Sequence, residues 1–425
     1  MSKYFAFLTI FLVIQGCKTK ESVPADTKEY PVGEITRAQE NSAESMQKPY
    51  VILVSIDGFR YDYAKRYGAT NLLSFDASAT KMIPSFPSKT FPNHYTIVSG
   101  LYPGHNGLVS NEFYAPDLKE MYAISNRNAV ENGAFYKGKP LWVLASENQM
   151  VSASMFWVGS EAPIQGTYPT YYFKYNGKIN YEQRVNQTVK WLRMPEKTRP
   201  HFITLYFSIT DDVGHKHGPD SPEIADAVKS IDKTIGYLLS ETSKLDVPVN
   251  IIVVSDHGMV EVDRKNLIYK DQLIPKGVIA STSFPLMIYS KNHSLVDSMY
   301  QSLKNDSVRF RTYLKTNMPA QFHYNKEDNT VGDLLIMPKP PYVFGTKGHP
   351  KAKGSSTHGY DPADCPNMGA IFYANGPLFI HNSKVDSFEN VSIYPLIANM
   401  LSLDYEKNSI DGKLGVLGKV LKFIR

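Results

Sequence analysis

Residues 50–57 read YVILVSID, a continuous run of apolar and β-branched residues that ends on an aspartate. Such a run predicts a strand that is buried on both faces, as in a parallel sheet. Residues 201–209 (HFITLYFSI), 249–255 (VNIIVVS) and 369–374 (GAIFYA) have the same character. Because helical patterns separate these runs, the sequence predicts an α/β fold with a mostly parallel central sheet flanked by helices on both faces.

The helices are predicted from the spacing of apolar residues. In residues 222–244 the apolar positions from Ile224 to Leu238 recur at helical spacing, which indicates one core-facing side. Residues 139–148, 181–192 and 391–401 are predicted to be helical as well. Between residues 260 and 350 short β-like pieces alternate with loops rich in proline and lysine, and we interpret this stretch as a small α+β insertion.

The N-terminus predicts export. Lys3 precedes an apolar run over residues 4–14, which is too short to span a bilayer permanently, and Ile-Gln-Gly-Cys follows at residues 14–17. This segment resembles the lipobox of bacterial lipoproteins, which implies a signal peptide over residues 1–17, a lipidated Cys17 and a location at the periplasm or cell surface. A plain signal peptide is the alternative. Residues 18–47 are polar and predict a flexible tether, so the folded domain is expected over residues 48–425.

The overall charge is too mild to argue, on its own, for a nucleic-acid partner. The chain has 46 basic and 41 acidic residues, a balance that is compatible with a small anionic substrate. The sequence indicates no specific protein partner.

Aspartates follow three of the predicted strands directly. Asp57, Asp211 and Asp256 come after the first three runs, and ligands of open α/β sheets bind at the carboxyl ends of strands. Histidines accompany two of these aspartates, since His215 lies one helical turn beyond Asp211 and His257 is adjacent to Asp256. Either pair alone is weak evidence for a metal. Their expected convergence at one sheet edge predicts a site for divalent metal ions.

Residues 82–107 contain a threonine whose hydroxyl group is a further candidate member of this site. A loop rich in proline and serine leads to Thr90, which is followed by a helix-like stretch over residues 93–98. Free backbone N–H groups at such a junction favour an anion such as phosphate. An ordinary helix N-cap is the alternative interpretation of Thr90.

The blocks SIDG, SKTFPNHYTIVSGLYPGHNGLVSNEFY, DDVGHKHGP, SDHGM and HGYD together resemble the nucleotide pyrophosphatase/phosphodiesterase family of the alkaline phosphatase superfamily. The resemblance extends from Tyr50 to about Leu403, with all blocks in the family's order. It implies an alkaline-phosphatase-like fold and two zinc ions. The residues implied for one zinc ion are Asp57, Thr90, Asp256 and His257, and those implied for the other are Asp211, His215 and His358.

The resemblance also implies a mechanism and a substrate. Thr90 matches the nucleophile, which would form a phosphothreonine ester, and Asn111 matches a residue that contacts phosphate. Phe91 and Tyr175 match positions at which nucleotide-hydrolysing members hold the base, and Trp157 either lines the same slot or packs in the core. The predicted activity is zinc-dependent hydrolysis of phosphodiester or pyrophosphate bonds in nucleotide-like substrates.

Three alternatives remain open. The first is an alkaline phosphomonoesterase, although no arginine lies beside Thr90 to bind a dianionic phosphate. The second is a phosphodiesterase that acts on choline or lipid head groups. The third is a non-catalytic surface lipoprotein, which the complete set of predicted ligands disfavours. Sulfatase activity is disfavoured, because that branch of the superfamily needs a cysteine or serine oxidised to an aldehyde and followed by a Pro/Arg motif, which this sequence lacks.

Overall fold

The computed structural model describes residues 31, 33–324, 326–347 and 356–422. Nine strands in this part of the chain form one central sheet, in the order β1-β5-β4-β6-β2-β7-β8-β3-β9. The strands are β1 (Glu34–Thr36), β2 (Tyr50–Ile56), β3 (Ala77–Ala79), β4 (Ser152–Met155), β5 (Tyr171–Phe173), β6 (Phe202–Phe207), β7 (Val249–Val254), β8 (Phe372–Asn375) and β9 (Ser383–Val385).

The centre of the sheet is parallel. Strand β2 is buried along its whole length and pairs in parallel with β6 and β7, so that Val54 lies between Leu205 and Val253. The pairs β4–β6, β4–β5 and β3–β9 are also parallel. The α/β prediction with a mostly parallel sheet is therefore confirmed.

Two strands run opposite to the parallel set: the edge strand β1, which pairs antiparallel with β5, and β8. The fourth predicted run forms β8, which pairs antiparallel with both β7 and β3. An apolar run predicts burial on both faces but carries no information on direction, because strands of either orientation bury the same side chains. The connection between β7 and β8 contains the insertion. The tertiary fold of this connection therefore decides the direction in which β8 enters the sheet.

Eleven α-helices lie in the described part of the chain. They are α1 (Tyr63–Tyr67), α2 (Thr70–Leu73), α3 (Thr90–Ser99), α4 (Pro103–Asn106), α5 (Arg127–Val130), α6 (Leu141–Glu147), α7 (Tyr181–Leu192), α8 (Ile209–His217), α9 (Pro222–Thr242), α10 (His293–Leu303) and α11 (Ile393–Met400). None of them combines the length and the apolar character that crossing a bilayer requires.

Helices cover both faces of the sheet because the side chains of β2 alternate between two cores. Ile52 and Val54 face a core shared with α7 and α9, whereas Val51 and Leu53 face a core shared with α3, α6 and α11. Helix α9 begins at a side-chain cap, since the Ser221 hydroxyl accepts a hydrogen bond from the N–H of Ile224. Its apolar residues from Ile224 to Leu238 are buried as their spacing predicts.

The stretch predicted as an insertion contains a separate four-stranded antiparallel sheet. Its strands, in spatial order, are Ile279–Ala280, Leu286–Tyr289, Leu334–Pro338 and Phe310–Leu314. Helix α10 packs on this sheet through Val296 and Met299, which gives the insertion a small core of its own. Four two-stranded sheets complete the described strands: Met82–Ile83 with Phe388–Glu389, Glu112–Ala115 with Glu120–Ala123, Val260–Glu261 with Ser356–Thr357, and Ile268–Tyr269 with Phe344–Gly345.

The prediction of a tether that extends to Gln47 is wrong at its C-terminal end. Strand β1 pairs with β5 at the edge of the sheet. The Asn41 side-chain amide donates to the carbonyls of Glu196 and Arg199 and accepts from the N–H of Val151. Backbone pairing and polar side chains hold this segment, and a count of large apolar residues does not detect either. The predicted signal peptide and Cys17 lie outside the described residues.

Candidate active site

Three aspartates lie at one edge of the central sheet. Asp57, Asp211 and Asp256 follow β2, β6 and β7, which are neighbouring parallel strands and therefore end at the same edge. All three carboxylates are buried or partly buried. Thr90, the first residue of α3, and His358, directly after the strand Ser356–Thr357, lie at this edge as well. The structure thus brings together residues that are up to 301 positions apart, from Asp57 to His358.

One group of side chains consists of Asp211, His215 and His358. Asp211 and His215 lie one turn apart on α8, with 3.3 Å between Asp211 Oδ1 and His215 Nε2. His358 Nε2 lies 3.7 Å from the same carboxylate oxygen. The ligand atoms of all three residues lie within 4.8 Å of one another, which is close enough for a shared metal ion. These are the three residues predicted for one zinc ion.

The second group surrounds the predicted nucleophile. Thr90 is the first residue of α3, and its Oγ1 lies 3.2 Å from His257 Nε2. The same nitrogen lies 3.0 Å from Asp256 Oδ2 and 3.5 Å from Asp57 Oδ1. These four residues are the set predicted for the other zinc ion.

The carboxylates of the site are arranged as ligands for a cation. Asp57 Oδ1, Asp211 Oδ1 and Asp256 Oδ2 are buried and have no hydrogen-bond partner among the described residues. Burial, together with the charges of Asp256 and Asp211, raises the pKa of Asp57 well above its usual range. Burial also raises the pKa of Asp211. Unpaired buried carboxylate oxygens are costly, and a bound cation would relieve this cost.

The three histidines present one ring nitrogen to the site. His215 Nδ1 donates to the carbonyl of Ser356 at 3.0 Å, His257 Nδ1 to that of Gly258 at 2.8 Å and His358 Nδ1 to that of Ser88 at 2.9 Å. A carbonyl can only accept, so in each ring Nδ1 carries the proton and Nε2 is left with a lone pair toward the carboxylates. This is the usual arrangement of histidines that bind zinc.

His94 lies beside the site, with its Nδ1 3.4 Å from Asp256 Oδ2, and both of its ring nitrogens have other hydrogen-bond partners. Its Nδ1 donates to the carbonyl of Thr90 at 2.9 Å, and its Nε2 lies 2.8 Å from Ser55 Oγ. The ring is buried, and burial lowers its pKa. We infer that His94 holds the backbone of Thr90, the predicted nucleophile, in place.

Asn111 lies against the start of α3. Its Oδ1 accepts a hydrogen bond of 3.0 Å from the N–H of Phe91, the residue after Thr90. The carbonyl oxygen of the side chain is therefore engaged, which orients the amide group next to the predicted nucleophile. An amide N–H₂ in that position can donate to a phosphate oxygen.

A cavity of about 280 Å³ opens next to the predicted nucleophile. Its lining contains Thr90, Asp57 and Asp211 at one end. The remaining lining residues are Phe91, Ile124, Arg127, Val130, Phe156, Trp157, Val158, Gly159, Glu161, Tyr175 and Tyr206. The cavity therefore joins the polar ligand groups to a largely aromatic slot.

The three aromatic residues predicted for the slot line this cavity but differ in exposure. Tyr175 is 45% exposed, and its ring meets that of Phe156 edge-on at 5.1 Å. Trp157 is buried, and its Nε1 donates to the carbonyl of His94 at 2.9 Å. Trp157 thus combines the two roles that the sequence left open, lining and core packing.

Several residues of the cavity were not predicted from the sequence. The Tyr206 hydroxyl donates to Asp57 Oδ2 at 2.6 Å, and the Arg127 guanidinium pairs with the carboxylate of Glu161 at the cavity wall. Tyr206 occupies a strand position that is also suitable for core packing. The partners Arg127 and Glu161 lie 34 positions apart with no shared motif, so no sequence signal links them.

The sequence matches the family described as type I phosphodiesterase/nucleotide pyrophosphatase over residues 51–361. It is 34% identical over 395 residues to ectonucleotide pyrophosphatase/phosphodiesterase family member 1 of Mus musculus, covering 88% of this chain and 43% of that protein. It is 32% identical over 432 residues to venom phosphodiesterase 2 of Crotalus adamanteus, covering 96% of this chain and 52% of that protein. The chain spans about half or less of the length of these curated relatives.

Solved structures show the same fold. The murine ectonucleotide pyrophosphatase/phosphodiesterase 5, in an inactive threonine-to-alanine variant in complex with AMP, superposes with a TM-score of 0.82 at 27% identity, covering 88% of this chain and 100% of that chain. The human protein of the same name gives a TM-score of 0.81 at 28% identity, covering 89% of this chain and 100% of that one.

Proposed function

Because the chain belongs to the type I phosphodiesterase/nucleotide pyrophosphatase family, we propose that it hydrolyses phosphodiester or pyrophosphate bonds of nucleotides. The observation that carries this proposal is the cavity that places an aromatic slot next to Thr90 and two buried carboxylates. The slot would receive the nucleobase and the polar end would receive the phosphate. AMP in the related murine structure supports this class of ligand.

We further propose two zinc ions as cofactors. Asp57, Thr90, Asp256 and His257 would hold one, and the group of Asp211, His215 and His358 would hold the other. Three unpaired carboxylate oxygens and three imidazole nitrogens with lone pairs fit a borderline-soft divalent ion. When bound, the ions would supply Lewis acidity that lowers the pKa of a bound hydroxyl and offsets charge at phosphorus.

In the proposed reaction Thr90 Oγ1 attacks the phosphorus atom. A bond forms between Oγ1 and phosphorus, the bond from phosphorus to the leaving oxygen breaks, and the hydroxyl proton leaves toward solvent. Water then attacks the phosphothreonine ester, which releases the phosphate product and restores the Thr90 hydroxyl. The Asn111 amide would donate to a non-bridging oxygen in both steps, while His94 keeps the Thr90 backbone in place.

The ratio of two activities tests this function. On the full, zinc-loaded chain, kcat/KM for the p-nitrophenyl ester of thymidine 5′-monophosphate is compared with that for p-nitrophenyl phosphate. We expect a ratio far above one, because the diester adds a base for the aromatic slot and lacks the second charge of the monoester. A ratio below one would overturn the proposal in favour of a phosphomonoesterase. Turnover of choline phosphodiesters alone would overturn the nucleotide assignment.

We also propose that the protein is exported and anchored through a lipid on Cys17. The apolar run ending in Ile-Gln-Gly-Cys supports this proposal. In a bacterial host that processes lipoproteins, the full chain should fractionate with membranes and Cys17→Ser should not. Equal membrane association of both proteins would contradict the anchor.

A further inference from the structure

Arg184, on α7, places a buried guanidinium behind the wall of the cavity. The side chain is fully buried, and no ion-pair partner is found for it in the described part of the chain. Its Nε donates to the carbonyl of Ile179 at 3.0 Å and its Nη1 to that of Tyr206 at 2.7 Å, whereas the buried Nη2 has no partner among the described residues. A buried charge without a counter-charge is unfavourable for stability. A contribution to stability therefore does not explain why an arginine is buried at this position.

Two aromatic rings enclose this guanidinium. Its central carbon lies 5.0 Å from the ring centroid of Phe156 and 4.9 Å from that of Tyr181. Both distances are within the range of cation–π attraction. Phe156 lines the cavity, and its ring edge contacts Tyr175, the exposed aromatic of the slot. Arg184 thus supports the slot from the side opposite to the ligand.

The backbone of Phe156 needs such support. Its φ is +68°, in the left-handed region that a bulky side chain rarely adopts. A strained conformation of this kind persists only where the surroundings hold it, and it is concentrated at functional sites. The contact with Arg184 is one of the interactions that hold the ring where it meets Tyr175.

Arg184 also reaches the metal-ligand end of the cavity through Tyr206. The carbonyl of Tyr206 accepts from Arg184 Nη1, and the hydroxyl of the same tyrosine donates to Asp57 Oδ2 at 2.6 Å. The Tyr206 ring also lies 6.1 Å from that of Tyr175. One guanidinium is therefore connected to the slot through Phe156 and to a carboxylate of the site through Tyr206.

We propose that Arg184 is a positioning residue that sets the aromatic slot for the nucleobase relative to the phosphate end of the cavity. This inference rests on the proposed function. Arg184 touches neither the base nor the phosphate in this arrangement, so its effect is on the binding of ligands that occupy both ends.

Binding to a protein that cannot turn over its ligand tests this role. In the full, zinc-saturated chain carrying Thr90→Ala, the dissociation constants of AMP and of methyl phosphate are measured by calorimetry with Arg184 and with Arg184→Met. Because base–aromatic stacking is worth a few kcal/mol, a displaced slot should weaken AMP binding about tenfold. Methyl phosphate, which has no base, should change by less than about twofold. Arg184→Lys keeps the charge but loses the planar fork, so AMP binding should be intermediate.

Arg199 provides a matched control. Its Nε donates to the carbonyl of Met194 at 3.0 Å and its guanidinium lies 5.5 Å from the ring of Tyr50, at the opposite end of β2 from Asp57. Arg199→Met in the same background should lower the melting temperature and leave AMP binding unchanged. Equal losses of AMP affinity in the two variants would overturn the positioning role. If the protein that retains Arg184 binds no AMP, the proposed function itself fails, and this inference fails with it.

If Arg184→Met does not fold, Arg184→Lys carries the comparison alone. If the Arg184→Lys variant then binds AMP as tightly as the protein that retains Arg184, the inference is overturned. A selective loss for AMP over methyl phosphate would support it.

Discussion

The side chains at the two ends of the active-site cavity are held in place by different kinds of interaction. At the metal-ligand end, side chains are buried and each histidine ring is oriented by a hydrogen bond to a backbone carbonyl. At the aromatic end, Tyr175 is nearly half exposed and is held by ring contacts that have no fixed direction. A change of geometry at the first end should therefore have a nearly all-or-none effect on function, whereas the second end contributes gradually through contact area.

The largest expected effect is at the nucleophile. Thr90→Ala removes the hydroxyl that the proposed reaction requires, and we expect kcat for the nucleotide diester to fall at least about a thousandfold, as for other enzymes that lose a nucleophile. Thr90→Ser, which keeps a hydroxyl at the same position, should retain much more activity. Similar rates for the alanine variant and the unaltered protein would rule out Thr90 as the nucleophile.

A smaller effect is expected at Tyr206, whose hydroxyl is one hydrogen bond away from Asp57, a predicted metal ligand. Tyr206→Phe removes the hydrogen bond to Asp57 while keeping the ring, and partners of metal ligands typically contribute about 10- to 100-fold in metal affinity. Zinc dissociation constants, measured with a competing chelator, should rise by a factor in this range. An unchanged zinc affinity would show that the hydroxyl does not orient Asp57.

At the aromatic end the loss should be confined to substrates with a base. Tyr175→Ala removes the exposed stacking surface, and one stacked base is worth about 1–3 kcal/mol. KM for the nucleotide diester should rise, while KM for bis(p-nitrophenyl) phosphate should change much less. Tyr168→Ala, at a ring that stacks on Tyr172 outside the lining of the cavity, is the control and should change neither value. Equal changes for both substrates would mean that Tyr175 does not distinguish the base.

The smallest effect concerns stability and depends on pH. Since the pKa values of Asp57 and Asp211 are raised in the metal-free fold, these two carboxyl groups bind more protons in the fold than in the unfolded chain. Their contribution to stability is therefore largest at low pH and is lost as pH rises from about 3.9 through the raised values. Zinc has to displace these protons, so its stabilising effect should grow with pH.

Thermal unfolding with and without zinc measures this dependence. At a fixed zinc concentration of 100 times the dissociation constant measured at pH 8, each bound zinc ion should raise the melting temperature at pH 8 by about 3 °C, and the same concentration should raise it by less at pH 5.5. His358 should not add to the difference, because burial and the neighbouring His257 lower its pKa well below the ordinary value. A gain that is larger at pH 5.5 would contradict the assignment of Asp57 and Asp211 as ligands.

Much of the fold could be predicted because the decisive signals are local. The run over residues 50–56 and the periodicity over residues 181–192 coincide with β2 and α7. The direction of β8 and the pairing of Glu34–Thr36 with β5 could not be predicted, since both depend on which distant strand offers a free edge. Short polar strands such as β1 gain their stability from that partner and carry little signal of their own.

For the site, the proposed chemistry could be predicted from the residues alone: aspartates at strand ends, histidines beside them and a threonine at a helix start. Residue type and position relative to a strand are properties of the chain, and parallel neighbouring strands necessarily bring their ends to one edge. Which side chains share the cavity depends on how distant elements pack, and no local pattern encodes that. Arg184 behind Phe156 and Tyr206 against Asp57 are contacts between residues 28 and 149 positions apart. The first contact arises from the packing of α7 on the sheet and the second from the pairing of β6 with β2, and neither periodicity nor motif records them.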